Sequence, residues 1–359
     1  MIAIVLITAL IALIFSFTNG MNDAANCIAT VISTKALPPK IAVMWAAFWI
    51  FIALFIFDTT VAATMGKGIV QESCIDVYVI LAALLGSVLW IFICTKIGLP
   101  ISASHALVGG LMGPIWFAYG AKYLIASGIF KILAFIVISP LLGMVMGFTL
   151  NCLFMIFLRN SKVKKVDKVM RKMQLVSSAA FSLGFGGNDG QKTMGVIAIL
   201  FATAAASNPD SGIMQVLYGN GAAAAAAAGN TGFYVPMWLK YVCYGLIALG
   251  TVTGGWKVIR TLGDGLSSRI NPTQGFCAEL SGAFTLIMTA VLGIPVSTTH
   301  TITGSIIGTG LTRGFKRVKW MTAKNIVWAW VLTIPAVVVV SGLIYLAMVH
   351  WFGVPVKVL

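Results

Sequence analysis

Two copies of an Asn-Asp pair, each following a glycine, lie inside long apolar stretches. The first is Asn22-Asp23 in NGMNDAAN (19–26), and the second is Asn188-Asp189 in GGNDGQKT (186–193). A carboxylate within a membrane-length apolar segment is expensive and is usually retained for a function. The chemistry that these pairs favour is the binding of cations or protons, and their repetition predicts that both copies serve one site. The alternative is that each aspartate is only a local cap beside a glycine break.

A second repeated pattern supplies hydrogen-bond donors. PISASH (100–105) and PVSTTH (295–300) each place a proline before serine or threonine hydroxyls, which is typical of the capped start of a helix. A helix that starts inside a membrane directs free N–H groups and a positive dipole end at whatever lies in front of it. Two such ends facing each other would bind a tetrahedral oxyanion, whereas the simpler interpretation is two capped helix breaks. The hydroxyl residues of these patterns are Ser102, Ser104, Ser297, Thr298 and Thr299.

Four charged residues are candidates for the coupling of a cation. They are Asp23, Asp189, Lys192 and Glu279. If they converge with an anion, the site cannot form in a low-dielectric interior without cations or protons, because each uncompensated buried charge costs several kcal/mol. His105 and His300 are candidates for a proton relay, and a structural hydrogen bond suits their spacing equally well. The sequence does not assign any residues to a metal site.

These residues must be positioned by membrane helices. The chain has 359 residues, of which 59% are hydrophobic and only 9% charged, against about a quarter charged in soluble domains. Apolar runs of about twenty residues recur along it, which predicts an all-α polytopic membrane protein. The net charge of +15 is explained by basic membrane loops, and no basic stretch has the pattern of a nucleic-acid site.

The two halves of the chain resemble each other. An offset of 166 superposes the Asn-Asp pairs, and an offset of 195 superposes PISASHALVGGLMG on PVSTTHTITGSIIG. We expect about ten crossings, with the first and sixth segments interrupted near Asn19–Asp23 and Gly184–Asp189. Five crossings in each half would make the second repeat inverted, an architecture of transporters. The predicted divisions are a first repeat (1–158), a basic cytoplasmic linker (159–174) and a second repeat (175–359), which includes a low-complexity extracellular loop at about 206–235.

The distribution of basic residues predicts an orientation. When residues 159–174 are placed in the cytoplasm, the loops on that side hold 18 of the 24 Lys and Arg residues. Because Lys and Arg accumulate in cytoplasmic loops, we expect a multi-pass protein of the inner membrane with both termini outside.

The paired motifs resemble those of the inorganic phosphate transporter (PiT) family, in particular its bacterial low-affinity members. The resemblance covers essentially the whole chain and implies phosphate bound at the centre by Asn22, Asp23, Asn188, Asp189 and the Ser/Thr residues, with sodium or protons co-transported. Two departures from the sodium-coupled members favour protons: Lys192 stands where they have a neutral residue, and the first half lacks their glutamate. We therefore expect proton-coupled phosphate import, with phosphate also carried as a complex of Mg²⁺ or another divalent cation, and no bound cofactor.

Other functions are consistent with parts of the sequence. A sodium/phosphate symporter and a transporter of another oxyanion, such as sulfate, stay open, and an anion channel is disfavoured by the acidic residues. An intramembrane hydrolase lacks a GxSxG nucleophile elbow, and catalysis gives no reason for an inverted duplication, so we expect no enzyme. The expected partners are phosphate and membrane lipid, with a homodimer left open and no nucleic acid.

Overall fold

The structure is a computed structural model that describes residues 2–62, 70–71, 74–207, 211–219, 234–294 and 296–354, and the secondary structure of these residues is helical apart from isolated bridges. The helices of the first half are α1 (Ile2–Ser33), α2 (Pro39–Ile52), α3 (Val77–Ile97), α4 (Ala103–Tyr119) and α5 (Ala126–Leu158). Those that follow are α6 (Val163–Ser207), α7 (Gly212–Tyr218), α8 (Met237–Thr253), α9 (Trp256–Gly263), α10 (Pro272–Val291), α11 (Thr298–Leu311) and α12 (Trp320–Phe352).

Long apolar helices dominate the bundle. By length and composition, α1, α3, α5, α10 and α12 could each cross a membrane. Helices α8 and α9 form a sixth span if they are counted together, although the chain bends by 74° between them. The prediction of an all-α polytopic membrane protein is confirmed.

Helices α1 and α6 are continuous, so the predicted breaks at Asn19–Asp23 and Gly184–Asp189 are wrong. The glycines beside the Asn-Asp pairs serve close packing instead. A Cβ added to Gly20 would lie 2.2 Å from the backbone oxygen of Ile247, and one added to Gly186 would lie 2.7 Å from that of Ile50. The side chains of Asn22, Asp23 and Asn188 find partners elsewhere in the bundle, so the backbone has no need to unwind around them.

The two predicted capped helix starts are confirmed. The Ser102 hydroxyl accepts from the backbone N–H of His105, and the Ser297 hydroxyl accepts from that of His300, both at 3.3 Å. The chain reverses just before each cap, at Gly98 and Gly293, which adopt φ values of +84° and +67° that glycine favours. Pro295 of the second motif lies outside the described residues. These breaks place two helix starts in the interior of the bundle, as α4 and α11.

The halves interlock. Helix α4 of the first half packs along α12 of the second, while α11 of the second half packs along α5 of the first. The approach is close because glycines face backbone: a Cβ on Gly304 would lie 2.0 Å from the carbonyl oxygen of Pro140. Each capped helix is therefore held by the opposite half of the chain.

The basic stretch 159–174 is helical from residue 163 onward, where it forms the start of α6. Residues 163–174 form the first turns of that helix, which runs without a break to Ser207. The predicted loop at about 206–235 includes the short helix α7, and its residues 208–210 and 220–233 lie outside the described residues. The low-complexity stretch 219–232 is therefore almost wholly among the undescribed residues.

Candidate functional site

The two aspartates of the repeated pairs meet in the interior. Asp23 on α1 and Asp189 on α6 lie within hydrogen-bonding reach of each other. Each is only 1% exposed. Two carboxylates in contact and away from water repel each other unless a positive charge or a proton is shared between them. The fold thus concentrates negative charge at one point, and nearby groups must compensate it.

Lys192 supplies the compensating positive charge. Its ammonium group donates to Asp189 Oδ1 at 2.5 Å, to the Ser104 hydroxyl at 2.5 Å and to the carbonyl oxygen of Val296 at 2.8 Å. The lysine is fully buried on α6, one turn after the aspartate, and its other two partners come from α4 and from the segment that leads into α11. A carboxylate, a hydroxyl and a carbonyl oxygen surround the ammonium as they would a bound monovalent cation.

Asn26 occupies the equivalent position in the first half. Its amide donates to the hydroxyls of Thr299 at 3.0 Å and Thr298 at 3.3 Å. Both hydroxyls are within hydrogen-bonding distance of Asp23, at 3.3 and 3.4 Å, and the Thr299 hydroxyl is also 3.1 Å from the carbonyl oxygen of Ile101. An oxygen-rich cluster therefore surrounds Asp23 as another surrounds Asp189, but the first has a neutral amide where the second has an ammonium.

The asparagines of the Asn-Asp pairs bind the backbone segments that precede the two capped helices. Asn22 donates to the carbonyl oxygen of Ile101 at 3.2 Å and accepts from the Thr95 hydroxyl at 2.9 Å. Asn188 accepts from the backbone N–H of Val296 at 3.4 Å and donates to the Thr289 hydroxyl at 3.2 Å. Ile101 and Val296 are equivalent under the offset of 195, so the two asparagines hold equivalent points of the backbone.

The two histidines lie against each other next to these caps. The rings of His105 and His300 have centroids 4.7 Å apart in an edge-to-face arrangement, and the ring of His300 also packs over Trp330 at 3.8 Å. Both are buried. The pair joins the starts of α4 and α11, since each histidine sits in the first turn of its helix.

Glu279 lies apart from the aspartates. Its carboxylate accepts from Thr30 at 2.6 Å, Gln174 at 2.8 Å and Ser177 at 2.5 Å. Thr30 is seven residues beyond Asp23 on α1, which is about 10 Å along the helix axis. The structure thus brings Asp23, Asp189 and Lys192 together and places Glu279 in a second polar cluster toward the basic end of the bundle.

Several partners of these residues have no strong signal in the sequence. Asn26 could have been found, because it lies on the same face of α1 as Asp23 and matches Lys192 in the repeat. Thr95, Thr289 and Gln174 could not, since their types are common and their positions are set by tertiary packing. Of the predicted hydroxyl residues, Ser102 and Ser297 cap helices, whereas Ser104, Thr298 and Thr299 contact the charged groups.

An all-helical bundle with two interlocked halves and a charged site buried at their junction defines a polytopic membrane transporter. The chain belongs to the phosphate transporter family, whose model matches residues 19–341. It is 44% identical over 338 residues to a protein of Rhizobium meliloti (strain 1021) named "Probable low-affinity inorganic phosphate transporter", covering 94% of each chain. A Bacillus subtilis (strain 168) protein of the same name is 35% identical over 347 residues, with 96% of this chain and 97% of that protein covered.

A solved structure titled "The sodium-dependent phosphate transporter" has the same fold. It matches with a TM-score of 0.82 at 24% identity and covers 96% of this chain and 99% of its own. The prediction that the chain is not an enzyme is confirmed by the transporter names of its relatives. Membership of the family suggested by the sequence motifs is likewise confirmed.

Proposed function

We propose that this protein imports inorganic phosphate by cation-coupled symport, with protons as the coupling ion. The observation that carries the proposal is the meeting of Asp23 and Asp189 at the starts of two capped helices. The names of the relatives, which are phosphate transporters, support the choice of substrate.

The substrate would bind between the capped ends of α4 and α11. The hydroxyls of Ser104, Thr298 and Thr299 are donors suited to phosphate oxygens, and helix starts favour anions. Asn22, Asn188 and the two capping serines would hold this cradle in shape. The aspartates suit phosphate better than sulfate, because phosphate carries its own O–H at neutral pH and can donate to a carboxylate.

Charge balance favours coupling. Asp23, Asp189 and Lys192 carry a formal charge of −1 together, a bound phosphate adds to it, and Glu279 adds a further negative charge in the neighbouring polar cluster. Such a cluster in low dielectric must take up cations or protons with its substrate. The ammonium of Lys192 would replace one coupling cation at Asp189, and the oxygens around Asp23 would take up the proton or, in the alternative, a sodium ion. A complex of phosphate with Mg²⁺ or another divalent cation would serve as substrate by the same logic, since its charge is lower.

The proton relay, the orientation in the membrane and the two repeats are further parts of the same proposal. His105 and His300 would relay the proton, because their rings are in contact beside the starts of α4 and α11. We place the protein in the inner membrane with the basic helix start of α6 in the cytoplasm and both termini outside. The chain would be organised as the repeats 1–158 and 175–359 joined by the linker 159–174, and the exposed face of α5 would meet lipid or a second copy.

Uptake of radioactive phosphate into proteoliposomes tests the proposal. We expect an inward proton gradient to drive accumulation without sodium, and Mg²⁺ to increase it. Arsenate should compete and sulfate should not. Accumulation that needs a sodium gradient and ignores the pH gradient would overturn proton coupling, and uptake blocked by sulfate but not by arsenate would overturn the substrate.

A further inference from the structure

A cavity of about 260 Å³ lies at the basic end of the bundle, apart from the site described above. It is bounded by the end of α5, the turn that leads into α6, the start of α10 and the turn after α11. Arg159 reaches it from the first half of the chain and Arg313 from the second. The cavity therefore lies where the two halves meet at the basic end of the bundle.

A residue that lines the cavity has an unsatisfied acceptor. Asn151 is 1% exposed, and its Oδ1 has no hydrogen-bond partner among the described residues. Its amide Nδ2 donates to the Thr312 hydroxyl at 2.6 Å, and that hydroxyl donates to the carbonyl oxygen of Thr309 at 2.7 Å. Because the threonine proton is used, the amide nitrogen must donate, and Oδ1 is left as the unpaired acceptor of a side chain that lines the cavity. A buried acceptor of this kind calls for a donor from a ligand.

The walls of the cavity are amphipathic. Phe154, Leu158 and Val166 give it an apolar side, and Met155 on the same wall is 48% exposed toward the outside of the bundle. Asp167 offsets one of the two arginines, so the charged groups of the cavity have a net formal charge of +1. A ligand that matches these features has one negative phosphate, a hydroxyl to donate and a hydrocarbon chain.

We propose that this cavity binds an anionic phospholipid with a hydroxylated headgroup, of which phosphatidylglycerol is the probe. The arginines would hold the phosphodiester, Asn151 Oδ1 would accept from a headgroup hydroxyl, and the acyl chain would lie along Met155 and the outer face of α5. Basic pockets between membrane helices on the cytoplasmic side are known sites for anionic headgroups. Since the arginines belong to different halves, a bound lipid would join them.

The test measures binding of dioctanoyl phosphatidylglycerol to the purified full-length chain by native mass spectrometry, with dioctanoyl phosphatidylcholine and inorganic phosphate as competitors. We expect the double variant Arg159→Gln, Arg313→Gln to bind phosphatidylglycerol roughly tenfold more weakly or worse. The matched control is Lys164→Gln, Lys168→Gln, which removes the same charge from exposed positions of α6 that do not line the cavity, and it should bind as the wild type does.

Three results would overturn the proposal. Unchanged binding in the arginine variant would show that the cavity is not the site. An equal loss in the lysine control would assign the attraction to bulk charge. Displacement of the lipid by inorganic phosphate at equal concentration would mean that the cavity recognises the free anion rather than a lipid.

Discussion

Lys192 and Asn26 occupy equivalent positions, each one turn beyond an Asn-Asp pair, and each donates to the same position of a capped helix. Lys192 contacts the Ser104 hydroxyl at 2.5 Å, and Asn26 contacts the Thr299 hydroxyl at 3.0 Å. Ser104 and Thr299 are themselves equivalent under the offset of 195. At these positions the repeat is therefore symmetric in shape and asymmetric in charge, because one half has an ammonium group where the other has a neutral amide.

Replacing that ammonium should change the ion requirement of transport. In Lys192→Asn the second half acquires the side chain of the first, and Asp189 loses its fixed counter-charge. A cation from solution must then take the place of the lysine, so we expect phosphate uptake to become dependent on sodium while its response to a proton gradient weakens. Uptake into proteoliposomes under separate sodium and proton gradients measures both.

Lys240→Asn is the matched control, because it removes a lysine from α8 away from the aspartates. It should keep the ion dependence of the wild type. If Lys192→Asn also keeps that dependence, the ammonium does not replace a coupling cation.

The two aspartates should differ in their effect on stability. Asp189→Asn leaves a buried ammonium without its carboxylate, and breaking a buried pair in this way destabilises by about 3–5 kcal/mol. Asp23→Asn instead relieves repulsion from Asp189, and its amide can still pair with Thr298 and Thr299. We therefore expect a neutral or slightly stabilising change at position 23, while both variants lose phosphate uptake by an order of magnitude or more.

Thermal unfolding in detergent separates the two variants, and adding Lys192→Met to Asp189→Asn should restore much of the lost stability because no unpaired charge is left. Equal melting temperatures for Asp23→Asn and Asp189→Asn would contradict the assignment of the ion pair to Asp189.

The positions of the charged residues in the repeat could be predicted from sequence, because self-similarity at a fixed offset does not depend on helix geometry. The superposition of Asn22-Asp23 on Asn188-Asp189 implied a shared site, and the aspartates do meet. The two capped helix starts were predictable for a local reason: a serine three residues before a histidine N–H specifies its own hydrogen bond.

The conformation of α1 at Asn19–Asp23 could not be predicted in the same way. Glycine beside polar residues indicates a break when only local chemistry is considered, but Gly20 is required by the approach of Ile247 from a helix more than two hundred residues away. The separate location of Glu279 could not be predicted from the sequence for the same reason. Its three donors come from α1 and α6, and only the packing of those helices on α10 brings them together.

Close helix packing at Gly304 should be intolerant of a methyl group. A Cβ there would lie 2.0 Å from the carbonyl oxygen of Pro140 and 2.8 Å from its Cα, so α5 and α11 would have to separate. We expect Gly304→Ala to lower the free energy of unfolding by about 1–3 kcal/mol, as overpacking does. The melting temperature in detergent reports this loss.

Gly245→Ala is the control for backbone effects, because a Cβ at that helical position meets nothing within 4 Å. It should stabilise by up to about 1 kcal/mol through helix propensity alone. A Gly304→Ala protein as stable as the Gly245→Ala protein would show that α5 and α11 have room to adjust.

Glu279 can be tested for a role beyond folding because its surroundings accept an amide of the same shape. Gln174 is fixed by the Thr34 hydroxyl, which donates to its Oε1 at 2.7 Å, so its Nε2 must donate to the Glu279 position. The Ser177 hydroxyl also contacts the carbonyl oxygen of Gln174 at 3.2 Å and can donate there instead. A glutamine at position 279 can thus present its oxygen to Thr30 and Gln174 and its amide to Ser177.

We therefore expect Glu279→Gln to fold with a stability within about 1 kcal/mol of the wild type, since the hydrogen bonds are exchanged rather than lost. If the carboxylate takes up the coupling cation or proton, phosphate uptake should nevertheless fall at least about tenfold and lose its dependence on pH. Uptake between pH 5 and 8, measured beside thermal unfolding, distinguishes the two effects. Ser177→Ala serves as the control, because it removes one donor, keeps the carboxylate and should retain the pH dependence. Normal, pH-dependent uptake by Glu279→Gln would restrict Glu279 to a structural role.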